Sequence, residues 1–291
     1  MDKLFVYLQY LVPQHLLSRA AGWLANCRSP LVRTPFIYLF MRIFRVDLSE
    51  ARVQDFRQFQ HFNEFFTREL LPDSRPLAGD AETLVSPADG TVSQLGRITA
   101  DRLLQAKGMD YSLSDLLGGE ARDVDLFRDG SFITIYLSPR DYHRVHMPMA
   151  GKLLRTVYLP GQLFSVNRRT TQQVPGLLAR NERLVCVFDT AAGPMAVILV
   201  GAMIVAGIQT VWAGRAGSGD RQSQRRNYNT LTSQVKLERG REMGRFMLGS
   251  TVILLFGPRA ATLADNLGAD SPIQLGQAIG AVGTAAKRTT S

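Results

Sequence analysis

Apolar residues recur every three or four positions through the first quarter of the chain, which is the period of an amphipathic helix. The spacing predicts one helix over residues 4–12, limited by Pro13, and a second over 35–46. A third is predicted over 49–70, where Asp47 or Ser49 can cap the first turn. Its aromatic side chains form a stripe that faces either the core or a substrate tunnel: Phe56, Phe59, Phe62, Phe65 and Phe66.

After Pro76 the pattern changes to short runs of valine, isoleucine, leucine and tyrosine, separated by glycine, proline and aspartate. Such runs between turn residues are typical of β-strands. The segment 104–118 is an exception, because its apolar spacing predicts a helix. The predicted strands are Thr91–Leu95, Ser131–Leu137, Lys152–Leu159, Leu184–Asp189 and Val252–Phe256.

The stretch 195–212 has no charged residue and is long enough to cross a bilayer as a helix. Its glycines and its density of valine and isoleucine fit two buried strands, joined at Gly201-Ala202, at least as well. On this pattern alone both interpretations stay open.

The chain of 291 residues carries a formal net charge of +9, which favours an anionic partner. Because no nucleic-acid-binding signature accompanies this charge, we expect an acidic membrane surface and no nucleic acid. The two cysteines, Cys27 and Cys186, are far apart in the sequence and indicate free thiols in a reducing compartment.

The early apolar run also contains single basic residues, among them Arg33, Arg42 and Arg45. The helices of this region either pack on the rest of the protein or lie in a membrane interface, with arginine against anionic head groups. We prefer the interfacial interpretation. A secretory signal peptide is disfavoured, because Pro13 and His15 interrupt the apolar run.

A Gly-Ser-Thr triplet at residues 249–251 interrupts a run that otherwise reads as a buried strand. Such a strand gains nothing from the triplet, because glycine costs backbone entropy and buried hydroxyls need partners. The triplet is either a bulge or a corner between strands, or a reactive site where the Ser250 hydroxyl attacks the Gly249 carbonyl.

A serine hydroxyl becomes a good nucleophile when a base takes its proton, and a histidine oriented by a carboxylate is the usual solution. Of the four histidines, His143 and His146 lie together beside Asp141. They also fit a metal pair, but no third ligand stands at a supporting spacing. On a straight strand they face opposite sides, so a shared site requires a bend near Pro148. Asp89, in Pro-Ala-Asp-Gly, is by itself a typical turn residue.

Four segments of the chain resemble those of the phosphatidylserine decarboxylases, a pyruvoyl-dependent family that cuts its own chain at a Gly-Ser bond. They occur in that family's order and together cover about residues 60–257. The segments are 62–68 (Phe-Asn-Glu-Phe-Phe-Thr-Arg), 86–90 (Ser-Pro-Ala-Asp-Gly), 141–148 (Asp-Tyr-His-Arg-Val-His-Met-Pro) and 236–253, which contains Gly-Ser-Thr. The resemblance also favours strands over a membrane-spanning helix at 195–212.

The resemblance implies a self-processing triad of Asp89, His146 and Ser250. His146 would be the general base, Asp89 its orienting partner and Ser250 the nucleophile. Cleavage between Gly249 and Ser250 would convert Ser250 into a covalent pyruvoyl group. That group would form a Schiff base with the serine amine of phosphatidylserine and accept the electrons left when carbon dioxide departs.

Further residues match the family's substrate site. His143 corresponds to the proton donor, which suits a side chain whose pKa lies near neutrality, and Asp141 is expected to support it. Ser165 and Asn167 lie in a segment that resembles one near the substrate, so they are expected to contact the head group. The implied enzyme is a carboxy-lyase that yields phosphatidylethanolamine, with no metal.

The expected fold class is α+β, with membrane-associating helices over residues 1–70 packed on a β-rich catalytic domain over 71–291. The two chains made by cleavage should stay associated as a heterodimer, because the cut falls within one sheet or core. The family resemblance further suggests a homodimer at the cytoplasmic face of the bacterial inner membrane, bound as a peripheral protein.

Two other functions remain as alternatives. A Ser-His-Asp lipid hydrolase would share the triad and keep an intact chain, although the sequence has no Gly-x-Ser-x-Gly elbow. A non-enzymatic membrane-binding module would use only residues 1–46 and the net charge. Neither alternative accounts for the four family segments occurring together.

Overall fold

The computed structural model describes residues 21–106, 108–202, 207–217, 222–229, 234–247 and 250–283. The helix predicted over residues 4–12 lies outside these ranges, as does Gly249. Within them the protein combines few, mostly short helices with extensive β-sheet, which confirms a mixed, β-rich fold.

Among the helices that lie wholly within these ranges the longest, α1, runs over Pro30–Phe44 and confirms the second predicted helix. The proline at its first turn lacks only a backbone N–H that an α-helix leaves unpaired there. The other α-helices are one or two turns long: α2 at Phe62–Phe66, α3 at Leu113–Leu117, α4 at Ala121–Phe127, α5 at Arg168–Thr171 and α6 at Leu177–Arg180.

The continuous helix predicted over residues 49–70 is wrong. The Asp47 carboxylate accepts hydrogen bonds of 2.8 Å from the backbone N–H and the hydroxyl of Ser49, which closes a local turn and starts no helix. The segment forms a 3₁₀ turn at Phe56–Gln58 and then α2, where His61 Nδ1 accepts the Glu64 N–H at 3.0 Å. The aromatic stripe nevertheless faces a core with α1, through buried Phe59, Phe62, Phe65 and Phe66.

A nine-stranded antiparallel sheet dominates the rest of the chain, in the order β12-β7-β8-β9-β15-β5-β2-β17 with β13 beside β7. Its strands include all five predicted ones, extended at one or both ends in four cases. The bounds are β2 Gly90–Arg97, β5 Ser131–Leu137, β7 Gly151–Leu159, β8 Arg183–Thr190, β9 Gly193–Gly201, β12 Gln224–Asn227, β13 Lys236–Leu237, β15 Ser250–Phe256 and β17 Pro272–Ile273.

Three smaller sheets surround the large one, in the orders β1-β18-β16, β11-β10-β14-β6 and β3-β4. Their strands are β1 Thr83–Val85, β3 Arg102–Ala106, β4 Met109–Ser112, β6 Arg144–His146, β10 Ile208–Thr210, β11 Gly214–Arg215, β14 Glu242–Phe246, β16 Ala261–Leu263 and β18 Ala278–Val282.

The helix predicted over 104–118 is correct only at its end, where α3 lies. The earlier part is the β3–β4 hairpin, with Leu103 opposite Tyr111 and Leu104 opposite Asp110. Gly108 has a φ of +75°, a left-handed conformation that glycine adopts without steric cost and that suits a tight turn. Gly108 therefore favours a hairpin over a helix in this segment.

Both faces of the large sheet are buried. Along β15, Val252, Leu254 and Phe256 belong to one apolar cluster, while Ile253 and Leu255 belong to the cluster on the opposite face. A strand covered on both faces reads as a continuous apolar run, which explains the sequence of this segment. The strand β9 confirms the β interpretation of the start of 195–212. Across the described ranges, no helix is both long enough and apolar enough to cross a membrane.

Candidate active site

Ser250 is the first residue of β15 and lies at one end of the large sheet. It pairs with Leu137 of β5 on one side and with Gly201 of β9 on the other. In the next row, Thr251 and Thr91 both pair with Tyr136, so they lie two strand spacings apart, roughly 10 Å. The segments that begin β2 and β15 therefore meet at the same end of the sheet.

Asp89 directly precedes this start of β2. The approach is close, because a Cβ on Gly90 would meet the Tyr136 carbonyl oxygen at 2.3 Å, so glycine is required there. The Asp89 carboxylate accepts hydrogen bonds from the Leu275 N–H at 2.8 Å, from Arg75 Nη2 at 2.8 Å and from Arg75 Nε at 3.0 Å. This carboxylate raises the pKa of Arg75. Asp89 is thus a buried, fixed negative charge.

His146 is the last residue of β6 and lies at the same end of the large sheet. Its backbone N–H donates to the Pro87 carbonyl at 2.8 Å, which brings β6 beside the Asp89 segment. Nδ1 lies 2.9 Å from the Gly240 carbonyl oxygen; because a carbonyl only accepts, Nδ1 carries the proton. Nε2 then has a lone pair, and it accepts the Tyr142 hydroxyl at 3.1 Å. Burial lowers the pKa of His146, so the ring is neutral at pH 7.

His143 is fully buried just before β6, with its ring centroid 3.9 Å from that of Phe66. Its Nδ1 lies 2.8 Å from the Asp141 carbonyl oxygen and therefore carries the proton. Its Nε2 is buried and has no hydrogen-bond partner among the described residues. Burial lowers the pKa of His143 to about 3, and the positive charge of Arg68 acts in the same direction.

The chain bends on both sides of β6, at Asp141 and, as expected near Pro148, at residues 148–149. Asp141 contacts His143 through its backbone carbonyl and not through its carboxylate. The carboxylate accepts the Ser138 N–H at 2.7 Å, and burial raises its pKa. Asp141 therefore orients the His143 ring and fixes its tautomer.

Ser165 and Asn167 lie in the connection between β7 and α5. The Asn167 side chain caps α5, accepting the Thr170 N–H at 3.0 Å and the Thr170 hydroxyl at 3.1 Å. Buried Asn181 joins this connection to the site, because its amide donates to the Phe164 carbonyl at 2.8 Å and to the Gly201 carbonyl at 2.9 Å. Gly201 is the residue that pairs with Ser250, so the connection is held beside the start of β15.

The structure brings three further side chains to the site that the sequence interpretation did not select: Tyr142, Arg75 and Arg68. Tyr142 and Arg68 stand inside the segments 141–148 and 62–68, and only the segment match pointed to them. Arg75 lies in a proline-flanked connection without a sequence signal. Its role appears only when the fold places it against Asp89.

Comparison with known proteins identifies the family of the chain. A family model described as phosphatidylserine decarboxylase matches residues 62–281, and a second, described as PSD, matches residues 4–45. The chain belongs to the phosphatidylserine decarboxylase family. The first match includes Arg68, Asp89, both site histidines and Ser250.

Relatives in the phosphatidylserine decarboxylase family are similar over nearly the whole chain. Proteins named phosphatidylserine decarboxylase proenzyme are 53% identical over 279 residues in Pseudomonas aeruginosa and 55% identical over 281 residues in Alcanivorax borkumensis. Each alignment covers 96% of this chain and 96% of the relative. A relative with the same name in Azotobacter vinelandii is 54% identical over 280 residues.

The residues of this phosphatidylserine decarboxylase family member fit a small carbonyl cofactor built at position 250. The His143 Nε2 atom is buried and lacks a hydrogen-bond partner among the described residues, which a structure tolerates poorly unless another group uses it. The neutral His146 ring presents a second lone pair, which accepts a tyrosine hydroxyl. The site therefore holds two neutral imidazoles, each with a lone pair at Nε2.

Proposed function

We propose that this protein removes carbon dioxide from phosphatidylserine to give phosphatidylethanolamine, after converting its own Ser250 into a pyruvoyl group. The observation that carries this proposal is the buried His143, on the segment leading into β6, whose Nε2 has no hydrogen-bond partner in the described parts of the chain. The His143 carbonyl accepts the Phe246 N–H at 3.0 Å, and Phe246 ends the strand that leads to Ser250 four residues later.

In the self-processing reaction, His146 Nε2 takes the Ser250 hydroxyl proton, either directly or through the Tyr142 hydroxyl that lies 3.1 Å away. The resulting imidazolium is stabilised by the Gly240 carbonyl at Nδ1, by the negative charge of Glu242 and, to a smaller extent, by that of Asp89, all of which raise the pKa of His146 against the effect of burial. Asp89 thus acts through its charge, held in place by Arg75 and the Leu275 N–H.

The bonds then change in a fixed order. The Ser250 oxygen attacks the Gly249 carbonyl carbon, the peptide C–N bond breaks, and an ester joins the two residues. Loss of the Ser250 α-proton breaks the Cβ–O bond, which releases Gly249 as a carboxylate and leaves dehydroalanine. Tautomerisation and addition of water then release ammonia and leave the pyruvoyl group.

The pyruvoyl group supplies the electron sink that loss of carbon dioxide requires. The protein moves the protons. His143 Nε2 has a lone pair, so it takes up a proton once the substrate is bound and donates that proton to the α-carbon that has lost carbon dioxide. Asp141 holds the ring through Nδ1, and Phe66 keeps water from its face.

Strand pairing and burial should hold the two fragments together after cleavage. Over all seven of its residues, β15 pairs with both β5 and β9, which belong to the larger fragment. Val252–Phe256 are fully buried. We therefore propose a heterodimer of the two cleaved chains.

A membrane surface is the proposed place of reaction, since the substrate is a phospholipid. Around α1 several large apolar side chains are exposed, with exposed Arg28, Arg42 and Arg45 nearby: Trp23 (76% exposed), Leu31 (88%), Tyr38 (52%), Leu39 (57%) and Ile43 (61%). Apolar groups beside arginines suit the boundary between acyl chains and anionic head groups.

The test follows carbon dioxide and phosphatidylethanolamine released from phosphatidylserine vesicles. The wild-type protein should produce both in equal amounts. The variant His143→Gln should cut its chain normally and decarboxylate about 10²–10⁴-fold more slowly, which is the usual contribution of a general acid or base. The matched control His61→Gln, at a histidine that caps α2, should retain wild-type turnover.

Two results would contradict the proposal. Wild-type turnover in His143→Gln would remove His143 from the proton transfer. Release of fatty acid or of the head group, without carbon dioxide, would favour the lipid hydrolase instead.

A further inference from the structure

One buried cation at the site has unused hydrogen-bonding capacity. Arg68 is 6% exposed, and its Nη2 donates to the Arg140 carbonyl at 3.0 Å. Its Nε and Nη1 have no partner among the described residues, and no carboxylate within those ranges forms an ion pair with it.

The other buried arginines of the site's sheet and its supports are satisfied. Arg75 pairs with Asp89 and Glu50, and Arg144 pairs with Glu242 and Glu69. Arg183 donates to three backbone carbonyls. A guanidinium stays charged at any ordinary pH, so burying it without an anion is unfavourable unless an anion arrives later.

The surroundings of Arg68 place it at the reaction centre. It follows Phe66, whose ring covers His143, and its positive charge acts on the His143 ring. The charges of Asp89 and Asp141 act on Arg68 in turn. Each of these carboxylates is already engaged, Asp89 by Arg75 and Asp141 by the Ser138 N–H, so neither neutralises the guanidinium by direct pairing.

We propose that the Arg68 guanidinium binds the phosphodiester of the phospholipid head group. This inference rests on the proposed function and identifies the part of the substrate that the residue recognises. Nε and Nη1 lie on different edges of the planar guanidinium, so a phosphate oxygen can accept a charge-assisted hydrogen bond at either edge.

The substrate carries a second anion, the serine carboxylate, and the chemistry disfavours it as the partner. The carboxylate loses its charge as carbon dioxide departs, so a cation bound to it would stabilise the ground state more than the transition state. The phosphodiester keeps its charge throughout. Binding the phosphodiester therefore positions the amine without stabilising the ground state more than the transition state.

Phosphate binding would also prepare His143. In the protein without substrate, the positive charge of Arg68 disfavours a proton on the buried ring. An anion paired with Arg68 offsets that charge, so His143 Nε2 takes up a proton more readily once the head group is bound. The arginine therefore couples head-group recognition to the proton transfer.

The test uses calorimetric binding of dihexanoyl-phosphatidylmethanol, which has the phosphodiester but neither amine nor carboxylate. The variant Arg68→Gln should raise its Kd at least about tenfold, since a hydrogen bond to a charged group is usually worth that much. The Kd of Arg68→Lys should lie between those of wild type and Arg68→Gln, because an ammonium keeps the positive charge but not the planar set of N–H donors. The control Arg97→Gln, at an exposed arginine on the far end of β2, should bind like wild type.

A second measurement separates phosphate from carboxylate. An O-alkylserine has the amine and the carboxylate but no phosphate, so Arg68→Lys should raise the KM for dihexanoyl-phosphatidylserine by a clearly larger factor than the KM for the O-alkylserine. Equal losses on both substrates, or an unchanged Kd for phosphatidylmethanol in Arg68→Gln and Arg68→Lys, would overturn the inference. Because the calorimetric arm needs no turnover, it also gives an answer if the wild-type protein releases no carbon dioxide, a result that would instead refute the proposed function.

Discussion

At the scale of single residues, the two site histidines form the same kind of hydrogen bond at Nδ1 but differ in the hydrogen bonding of Nε2. Both rings donate Nδ1–H to a backbone carbonyl, that of Asp141 for His143 and that of Gly240 for His146. Nε2 of His146 accepts a tyrosine hydroxyl, whereas Nε2 of His143 has no partner among the described residues. The same tautomer therefore leaves a lone pair at Nε2 of each ring, which suits the proposed roles of His146 as the base in self-processing and of His143 as the proton carrier.

The buried neutral state of His143 has a measurable effect on stability. Burial lowers its pKa to about 3, whereas a histidine in an unfolded chain titrates near 6.5. As the pH falls below 6.5 the unfolded chain binds a proton that the folded chain refuses, so stability is lost between pH 6.5 and 3. From pH 7 to pH 5 this one group should cost about 2 kcal/mol.

The measurement compares urea unfolding of Ser250→Ala with that of Ser250→Ala/His143→Gln, so that a single uncut chain unfolds in both. The protein with His143 should lose about 2 kcal/mol more of its free energy of unfolding between pH 7 and pH 5. Equal losses would mean that His143 is not held neutral in the folded protein.

Several site residues could be selected from the sequence, and their contacts could not. His143, His146, Asp89 and Ser250 stand in recognisable segments. That Asp89 pairs with Arg75, 14 residues earlier, follows from the fold, since the intervening chain turns back along β1. The role of Tyr142 could not be predicted from the sequence, because the bend at Asp141 is needed to bring its hydroxyl to His146.

At the scale of elements, Arg144 on β6 joins the site to the segment after α2 and to β14. Its Nε donates to the Thr67 carbonyl at 2.9 Å, and its Nη1 lies 2.9 Å from Glu242 and 3.3 Å from Glu69. The Arg144 side chain is 11% exposed and that of Glu242 is 19% exposed, so this pair is largely shielded from water. Because β14 leads to the proposed cleavage site, we expect the link to help set the position of Ser250.

The variant Arg144→Met should therefore lower the free energy of unfolding by about 2 kcal/mol and slow self-cleavage. The matched control Arg52→Met removes an exposed ion pair to the same Glu69, with the arginine side chain 70% exposed, and should cost less than about 1 kcal/mol. Equal effects in urea unfolding and in cleavage rate would show that Arg144 does not tie these elements together.

Elements with a long apolar run were predicted well, and short elements were not. β5 was predicted to the residue, and β15 was found from its apolar core, because a strand buried on both faces has a continuous signal. The helix predicted over 49–70 was wrong because the phenylalanines of this segment pack into one core from a 3₁₀ turn and a short helix. In 104–112 the apolar spacing fitted a helix, but Gly108 at φ +75° turns the chain into a hairpin.

At the scale of the whole molecule, the sheet explains how a chain can be cut in its core and keep its fold. β15 has a paired strand on each side and an apolar cluster on each face. The cut proposed at its first residue leaves those contacts intact, and it places the new terminus at the sheet end that holds Asp89 and both histidines. The proposed membrane surface around α1 is joined to this end through Phe66, which packs against Phe40 of α1 and against His143.

Denaturing mass spectrometry of the purified protein tests the central claim most directly, namely that Ser250 becomes the cofactor. The wild-type protein should give two species: residues 1–249, and residues 250–291 with a carbonyl group in place of the amino terminus. Ser250→Ala should give one uncut chain. The control Ser131→Ala, at the opposite end of the β5–β15 pair and with no hydrogen-bond partner for its hydroxyl among the described residues, should cut like wild type. A wild-type protein that stays a single chain of 291 residues, or a small fragment with a free serine amino terminus, would contradict the account.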